Sequence, residues 1–385
     1  MGTDPFETAE RRALRDSVRR FVVDDVLPYQ AAWERDGLLP RTLHQRAAAI
    51  GLLGLSFPED VGGGGGDAVD EVVLTEAFHE AGGAGGTFAS LFTCGIAVPH
   101  LIAAGDADQI DRWVRPTLAG RAIGSLAITE PDGGSDVGGI RTTAKTEGDG
   151  FVVDGAKTYI TSGVRADFVV TAVRTGDVPG AGGLSLLVVE RGTPGFTVSA
   201  PLDKMGWRSS DTAELTYDAV NVPSANLIGA LGNGFAQIGR HFVGERLTLA
   251  VQAYASAQRA YDLTVAWCRL RATFGRPLIS RQTVQTTLTE MARRIEVARV
   301  YTRWVAARAA GGETDLVREV CFAKNTAVET GAWVCDQAVQ LHGGMGYMRE
   351  AEVERQYRDM RILAIGGGTT EILTGLAGKL LGHHA

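Results

Sequence analysis

Cysteine is scarce in this sequence and poorly spaced for chemistry. The four cysteines, Cys94, Cys268, Cys321 and Cys335, form no C-x-x-C pair, so they read as buried apolar residues of a reducing compartment. The seven histidines show no H-E-x-x-H or comparable ligand spacing, and no metal is expected. Basic clusters are missing as well. The net charge is -7 with Lys and Arg dispersed, which argues against a nucleic-acid surface and leaves any anionic ligand to be met locally. Apolar runs such as Leu184 to Val189 are too short to span a bilayer, and Met1-Gly-Thr-Asp-Pro-Phe-Glu is not a basic segment followed by an apolar one. The expectation is a cytoplasmic chain without membrane insertion. What remains, 45% hydrophobic and 22% charged over 385 residues, suits a globular protein of two or three domains with a large core.

The periodicity changes twice along the chain. From Phe6 to about Leu118 it is helical: Phe21, Val22 and Val26 sit among charges, amphipathic runs follow at Thr42 to Ile50, Val69 to His79 and Phe88 to Ala104, and Gly51, Gly82 and Gly105 stand where helices should end. The glycine run Gly62 to Gly66 has no strand before it and no G-K-[ST] after it, so a surface loop is the better reading than a phosphate cradle. From Ala122 to about Pro223 the period is two. Strands are expected at Thr142 to Thr146, Phe151 to Val153, Lys157 to Thr161, Phe168 to Val173, Leu184 to Val189 and Glu214 to Val220, with Asp149-Gly150 and Asp154-Gly155 as punctuation. Short strands without intervening helices predict an antiparallel barrel or sandwich. Beyond Gly232-Asn-Gly234 a helix is expected from Phe235 to Thr273, with Ala250, Ala253, Ala257 and Ala260 on one close-packing stripe, then helices at Val284 to Ala309, Asp315 to Leu341 and Thr370 to Leu381. The fold class is therefore α+β and multidomain: a helical domain (1–121), a middle antiparallel β domain (122–232) and a helical bundle of four-helix type (233–385).

Chemistry concentrates in polar, glycine-punctuated segments. In Ser125-Leu-Ala-Ile-Thr-Glu-Pro-Asp-Gly-Gly-Ser-Asp136 an apolar strand runs into a turn rich in hydroxyls and free N–H groups, which suits a ligand rim and equally an ordinary hairpin loop. Lys157-Thr-Tyr-Ile-Thr-Ser-Gly163, Lys204-Met-Gly-Trp-Arg-Ser-Ser-Asp-Thr212, Arg271-Ala-Thr-Phe-Gly-Arg-Pro277, Gln340-Leu-His-Gly-Gly-Met-Gly-Tyr347 and Ile365-Gly-Gly-Gly-Thr-Thr-Glu-Ile372 follow in order. This series resembles the acyl-CoA dehydrogenase family of flavoproteins over nearly the whole chain. The resemblance implies FAD as cofactor, an acyl-CoA thioester as substrate, an electron-transfer flavoprotein as acceptor and a homotetramer.

Carried over residue by residue, it places Leu126, Thr129, Tyr159 and Thr161 at the isoalloxazine, with Tyr159 where many members have Trp, and Ser135 between the flavin phosphates and the thioester. Arg271 and Phe274 would meet the pyrophosphate and adenine side, Gln282, Gln340, Gly343 and Gly344 would come from a neighbouring subunit, and Thr369 and Glu371 would lie by the cofactor or that subunit. These residue types suit a dinucleotide, since guanidinium pairs with phosphate, an aromatic face covers adenine and glycines expose N–H groups. Arg208 with Asp211 reads as a structural ion pair, and His342, among glycines, as a packing residue.

The departure lies at the base. Abstracting an α proton from a thioester needs a carboxylate in a dry pocket, and the loop position where many members carry it is here Gly367. Val243-Gly-Glu-Arg-Leu-Thr-Leu-Ala250 instead resembles the isovaleryl-CoA and long-chain subgroup, whose base sits on the first long bundle helix, and Glu245 matches it. The plainer alternative is a surface glutamate paired with Arg246. Gly367 keeps an N–H that would polarise the thioester carbonyl. Phe242, Arg246, Gly366 and Gly367, with Ser135, would line the substrate. Gly366 replaces a bulky aromatic of straight-chain members, implying a branched or bulky acyl group first and a long chain second, unless it only serves loop geometry. The expected reaction is α,β-dehydrogenation to the trans-2-enoyl-CoA. The alternatives are an acyl-carrier-protein thioester dehydrogenase, a flavin oxidase or oxygenase of the same fold, or a non-catalytic flavin-binding subunit.

Overall fold

The computed structural model describes residues 4–178 and 180–383. Its first part is helical: α1 Ala9–Phe21 continues through a π-helical turn, Val22–Val26, into α2 Leu27–Asp36, followed by α3 Arg41–Ala49, α4 Ala68–Glu80, α5 Gly85–Leu91, α6 Cys94–Ala104, α7 Ala107–Gln109 and α8 Arg115–Leu118. The starts are chemically marked. Thr8 caps α1 through Arg11 N–H, and Asp67 and Asp70 form a capping box that opens α4. Gly51 and Gly82 turn the chain at φ +79° and +101° just past helix ends. Helix α4 is buried from Thr75 through His79 as well as on its valine face, because it lies between α1 and the bundle.

Two sequence expectations need correction here. Phe88 to Ala104 is two helices broken at Phe92-Thr93, where the Thr93 hydroxyl bonds the Ala89 carbonyl and the Ser162 hydroxyl across to the sheet. Moreover Gly85–Ala104, with mean hydropathy 1.6 over its best window, is long and apolar enough on length and composition to cross a membrane, so the expectation of short apolar stretches holds only for unbroken runs. The same segment contributes Phe88, Leu91, Val98 and Leu101 to the core.

The middle part is one seven-stranded curled sheet: β1 Gly124–Ala127, β2 Thr143–Glu147, β3 Gly150–Thr161, β4 Phe168–Arg174, β5 Leu184–Glu190, β6 Phe196–Val198 and β7 Thr212–Pro223. Most pairings are antiparallel; β1 and β2 meet β4 in parallel. The apolar runs of β4 and β5 feed two cores at once. Phe168, Val170, Ala172, Leu184, Leu186 and Val188 pack on the N-terminal helices, while Val169, Val173, Leu187 and Val189 face into the curl. Asp154-Gly155 is no turn: β3 runs straight through it, and the register slips by a bulge between Val153 and Gly155. Gly155, at φ +147°, is needed because a Cβ there would lie 2.6 Å from the Thr142 hydroxyl.

The last part is the bundle: α9 Gly234–Leu270, a short hairpin of β8 Ala272–Thr273 and β9 Arg276–Pro277, α10 Gln282–Ala310, α11 Val317–His342, α12 Glu352–Met360 and α13 Thr370–Leu380. Ala250, Ala253, Ala257 and Ala260 are fully buried, and the backbones of α9 and α11 close in so tightly that a Cβ on Gly331 would sit 3.1 Å from the Ala253 carbonyl. Helix α9 stops at Leu270, short of Thr273, because the chain turns extended at Arg271 into the hairpin. The glycine run Gly62 to Gly66 forms a loop whose N–H groups are already used. Gly63, Gly64, Gly65 and Gly66 donate to the carbonyls of Pro58, Gly54, Phe57 and Leu55 at 2.8–2.9 Å, leaving nothing for a phosphate.

Candidate active site

The rim begins where β1 ends. Leu126 is half-buried on that strand, and beyond it Glu130 and Gly133 exchange backbone hydrogen bonds at 3.1 Å, closing the turn that exposes Gly134 and Ser135. The Thr129 carbonyl accepts from Thr158 N–H at 2.9 Å, which sets it beside the 158–161 stretch of β3. Beneath both lies a buried ion pair: Lys157 Nζ donates to Glu130 Oε1 at 2.8 Å and to the Ile128 carbonyl at 3.1 Å. Burial pulls the Lys157 ammonium down to about 8 despite that partner. On the rim itself Tyr159 stands 70% exposed at φ +59°, with Thr161 half-buried two residues on. A non-glycine residue in the left-handed region is costly in isolation, and Ser162 close by shares that conformation at φ +59°.

The carboxylate is carried by a different element, the first long helix of the bundle. Glu245 lies three turns into α9, half-buried, and its carboxyl is pushed up by burial, with Arg246 and Lys324 pulling the other way. Among the described residues no hydrogen bond or ion pair holds it. The surface-pair alternative is therefore not what the structure contains: Arg246 Nε donates to the Gly367 carbonyl at 2.8 Å, and its guanidinium lies over the Phe242 ring at 5.1 Å. The loop reaches the same place from the other side. A Cβ on Gly367 would sit 3.5 Å from Glu245 Oε1 and 2.7 Å from Leu249 Cδ1. Gly367 and Gly368 take φ +65° and +98°, a path that favours glycine, and neither N–H has an acceptor among the described residues. Gly366 differs. Its φ is ordinary and a Cβ would find only the Ile362 carbonyl at 3.6 Å, so the backbone does not require glycine there.

A second group of the sequence-derived residues collects elsewhere. Arg271, at the far end of α9, is some 26 residues beyond Glu245, roughly 39 Å along a helix. Phe274 projects from the hairpin tip, 95% exposed at φ +49°, with Arg281 over its ring. Gln282 opens α10 and Gln340 ends α11, both exposed, and Gly343 and Gly344 have open space where a Cβ would be. His342 stacks on Trp267 at 5.2 Å and bonds the Ala338 carbonyl, tying the two helix ends together as a packing residue. The structure thus brings Thr129, Tyr159 and Thr161 together, and Glu245 with Gly367, but sets Arg271, Phe274, Gln282, Gln340, Gly343 and Gly344 at the other end of the bundle. Thr369 spends its hydroxyl capping α13 at Ile372 N–H, and Glu371 is exposed in the first turn of that helix.

Two partners were not foreseen. Asp211 pairs with Arg165, at 2.7 Å, and not with Arg208; Arg165 also reaches the Leu39 carbonyl, His44 and Ser90, bolting the sheet to the helical domain. Lys324 on α11 is fully buried and donates to the carbonyls of Gly366 and Gly368 at 2.5 and 2.6 Å. A lysine directly after the apolar stretch Val320-Cys-Phe-Ala323 is the signal that could have marked it, since buried ammonium groups need partners.

A helical domain, a curled sheet and a helical bundle in this order, taken with the family matches that follow, define the class: an oxidoreductase of the flavoprotein type that acts on CH–CH groups. Residues 8–121, 125–220 and 232–381 match the models for the N-terminal, middle and C-terminal domains of acyl-CoA dehydrogenase. The chain belongs to the acyl-CoA dehydrogenase family. It is 37% identical over 367 residues to the probable acyl-CoA dehydrogenase YngJ of Bacillus subtilis (strain 168), covering 95% of this chain and 96% of the relative. It is 35% identical over 377 residues to the mitochondrial long-chain specific acyl-CoA dehydrogenase of Rattus norvegicus, covering 97% and 86%. The structure of a probable acyl CoA dehydrogenase from Mycobacterium abscessus superposes at TM-score 0.96 with 57% identity over 98% of this chain and 100% of that one.

Proposed function

We propose that this chain dehydrogenates an acyl-CoA thioester between its α and β carbons, with Glu245 as the base. The observation that carries this is the 3.5 Å between Glu245 Oε1 and the point where a side chain on Gly367 would begin: the carboxylate reaches from the helix to the place where a loop residue would otherwise put one. The raised proton affinity of Glu245 suits a base that must take a weakly acidic proton. With no hydrogen bond to it among the described residues, both of its oxygens are available. The unspent Gly367 N–H supports a donor role toward the thioester oxygen, where negative charge grows as the α proton leaves.

The residues present fit the family's FAD. Hydroxyls of Thr129 and Thr161 and the exposed Tyr159 ring suit a flavin edge, while the Arg271 guanidinium, the Phe274 face and the open glycines 343 and 344 suit a pyrophosphate and adenine. Bound FAD would supply the acceptor for the β-hydrogen and its electron pair, so that loss of the α proton to Glu245 leaves a trans-2-enoyl thioester. Because Arg271 and the hairpin lie roughly 39 Å along α9 from Glu245, farther than one cofactor would bridge, the cofactor would be held by the rim of one copy and the hairpin end of another. This is the geometric support for a homo-oligomer, read as a tetramer. An electron-transfer flavoprotein is the proposed acceptor.

For the acyl group, Gly366 supports room over length. With ordinary φ and open space, its missing side chain serves the ligand better than the loop, which favours a branched or bulky acyl chain, a long one second. The test is an anaerobic titration of the purified flavoprotein against straight and branched acyl-CoAs and matched acyl-carrier-protein thioesters, repeated with Glu245→Gln. The variant should keep yellow FAD and bleach with none of them. Bleaching at the wild-type rate would remove Glu245 from the mechanism.

A further inference from the structure

The tripeptide Gly366-Gly367-Gly368 is anchored to the bundle through its carbonyls. Lys324 Nζ has no other hydrogen-bond partner among the described residues and donates to the oxygens of Gly366 at 2.5 Å and Gly368 at 2.6 Å, straddling Gly367. Arg246 Nε takes the remaining oxygen, that of Gly367, at 2.8 Å. Three successive carbonyls are thus drawn back onto α9 and α11. A glycine segment at φ +65° and +98° has the most backbone freedom to lose, and no side chain of its own can fix it.

We propose that Lys324 is a positioning residue for the reaction: by clamping the carbonyls on either side of Gly367 it aims the Gly367 N–H at the thioester oxygen and keeps the loop facing Glu245. The inference rests on the donor role given to Gly367 above. A buried lysine is an expensive way to close a loop, since an ammonium in the interior must recover its lost hydration from its partners. Its surroundings show that cost. Burial and the Arg246 guanidinium pull Lys324 down to about 8, while Glu245 and the Cys321 thiol on its own helix pull it up; on the α13 side Cys321 clusters with Leu373 and Ala377. An apolar residue would pack here without that penalty, and would leave two carbonyls unpaired and the loop free to turn its N–H away.

The experiment reads the carbonyl itself. Glu245→Gln holoenzyme is mixed with an acyl-CoA carrying carbon-13 at the thioester carbon, and the C=O stretch is recorded by isotope-edited infrared difference spectroscopy. The same measurement is made with Lys324→Met and Lys324→Gln added, checking flavin content and Tm in each. The bound carbonyl should be shifted to lower frequency with Lys324 present, lose most of the shift in the Met variant and keep an intermediate shift in the Gln variant, whose shorter, uncharged amide still donates N–H hydrogen bonds. In the Glu245-containing background, Lys324→Met should slow flavin reduction on the order of 10–100-fold with Kd changed little, short of the roughly 100–1,000-fold of a lost oxyanion donor. An unchanged carbonyl shift in either folded, flavin-loaded variant would overturn the role of Lys324. An unshifted carbonyl already in the Glu245→Gln protein would overturn the donor role of Gly367, and the clamp with it.

Discussion

Moving the carboxylate back to the loop is the sharpest way to test the geometry. The double variant Glu245→Ala/Gly367→Glu removes the acid from α9, where alanine is the best helix former, and plants one on the loop. The structure sets the cost. A non-glycine residue at φ +65° forfeits about 1–2 kcal/mol, and the new Cβ, 2.7 Å from Leu249 Cδ1, forces a flexible side chain aside for about 1–3 kcal/mol. The sum, about 2–5 kcal/mol, lies within the roughly 5–15 kcal/mol by which domains are typically stable, so the protein should fold with a Tm lower by several degrees. Loss of Glu245 alone should slow anaerobic flavin reduction by at least the roughly 100–10,000-fold typical of a removed general base. The transplant should recover about tenfold or more over Glu245→Ala, because the new side chain starts 3.5 Å from where the old oxygen stood. Stopped-flow reduction with one good acyl-CoA decides it. A folded, flavin-loaded double variant no faster than Glu245→Ala would mean that the two positions do not address the same proton.

Two further outcomes follow from the same site. Gly366→Tyr fills space that the backbone leaves open, with only the Ile362 carbonyl at 3.6 Å, so Tm should move by less than about 2 °C while kcat/KM for branched relative to short straight acyl-CoAs falls about 10–200-fold, the usual reach of a pocket's steric discrimination; unchanged selectivity would assign Gly366 to the loop. Since the Glu245 carboxyl is raised in the folded protein, its favourable protonated form prevails below the unfolded value near 4.5 and is lost as pH rises through the folded one. Ligand-free Glu245→Gln should therefore melt above wild type at pH 7 and with it at pH 4, and equal melting at both would show that burial does not strain this group.

What can be read from the sequence follows local physics closely. Strand β5, Leu184–Glu190, declares itself by an apolar run interrupted only by Ser185 because both of its faces are buried, and the alanine stripe of α9 announces the close approach of α11. Glu245 and Gly367 can be singled out from their own segments, yet their nearness cannot, since it joins positions on α9 and on the loop before α13. Helix α12 escapes detection because Glu-Val-Glu-Arg-Gln-Tyr-Arg-Asp-Met is mostly charged, with only Val353, Tyr357 and Met360 marking its apolar side and Gln356 and Asp359 buried beside them. The pairing of Asp211 with Arg165 instead of Arg208 has the same origin: adjacency in sequence suggests a partner, and the fold supplies a closer one. Lys324 is hidden by its type, for lysine is almost never fully buried and so is read by default as surface.

The glycine run near the start of the molecule has an evolutionary consequence. In most surface loops a residue more or less is tolerated. Here four consecutive amides answer to four different oxygens, at Pro58, Gly54, Phe57 and Leu55, in an order that does not step evenly along the chain. One inserted or deleted residue would carry every later amide past its acceptor, and a side chain at Gly63 would strike the Phe57 carbonyl. The plainest stretch of the sequence is therefore among the least free to change its length.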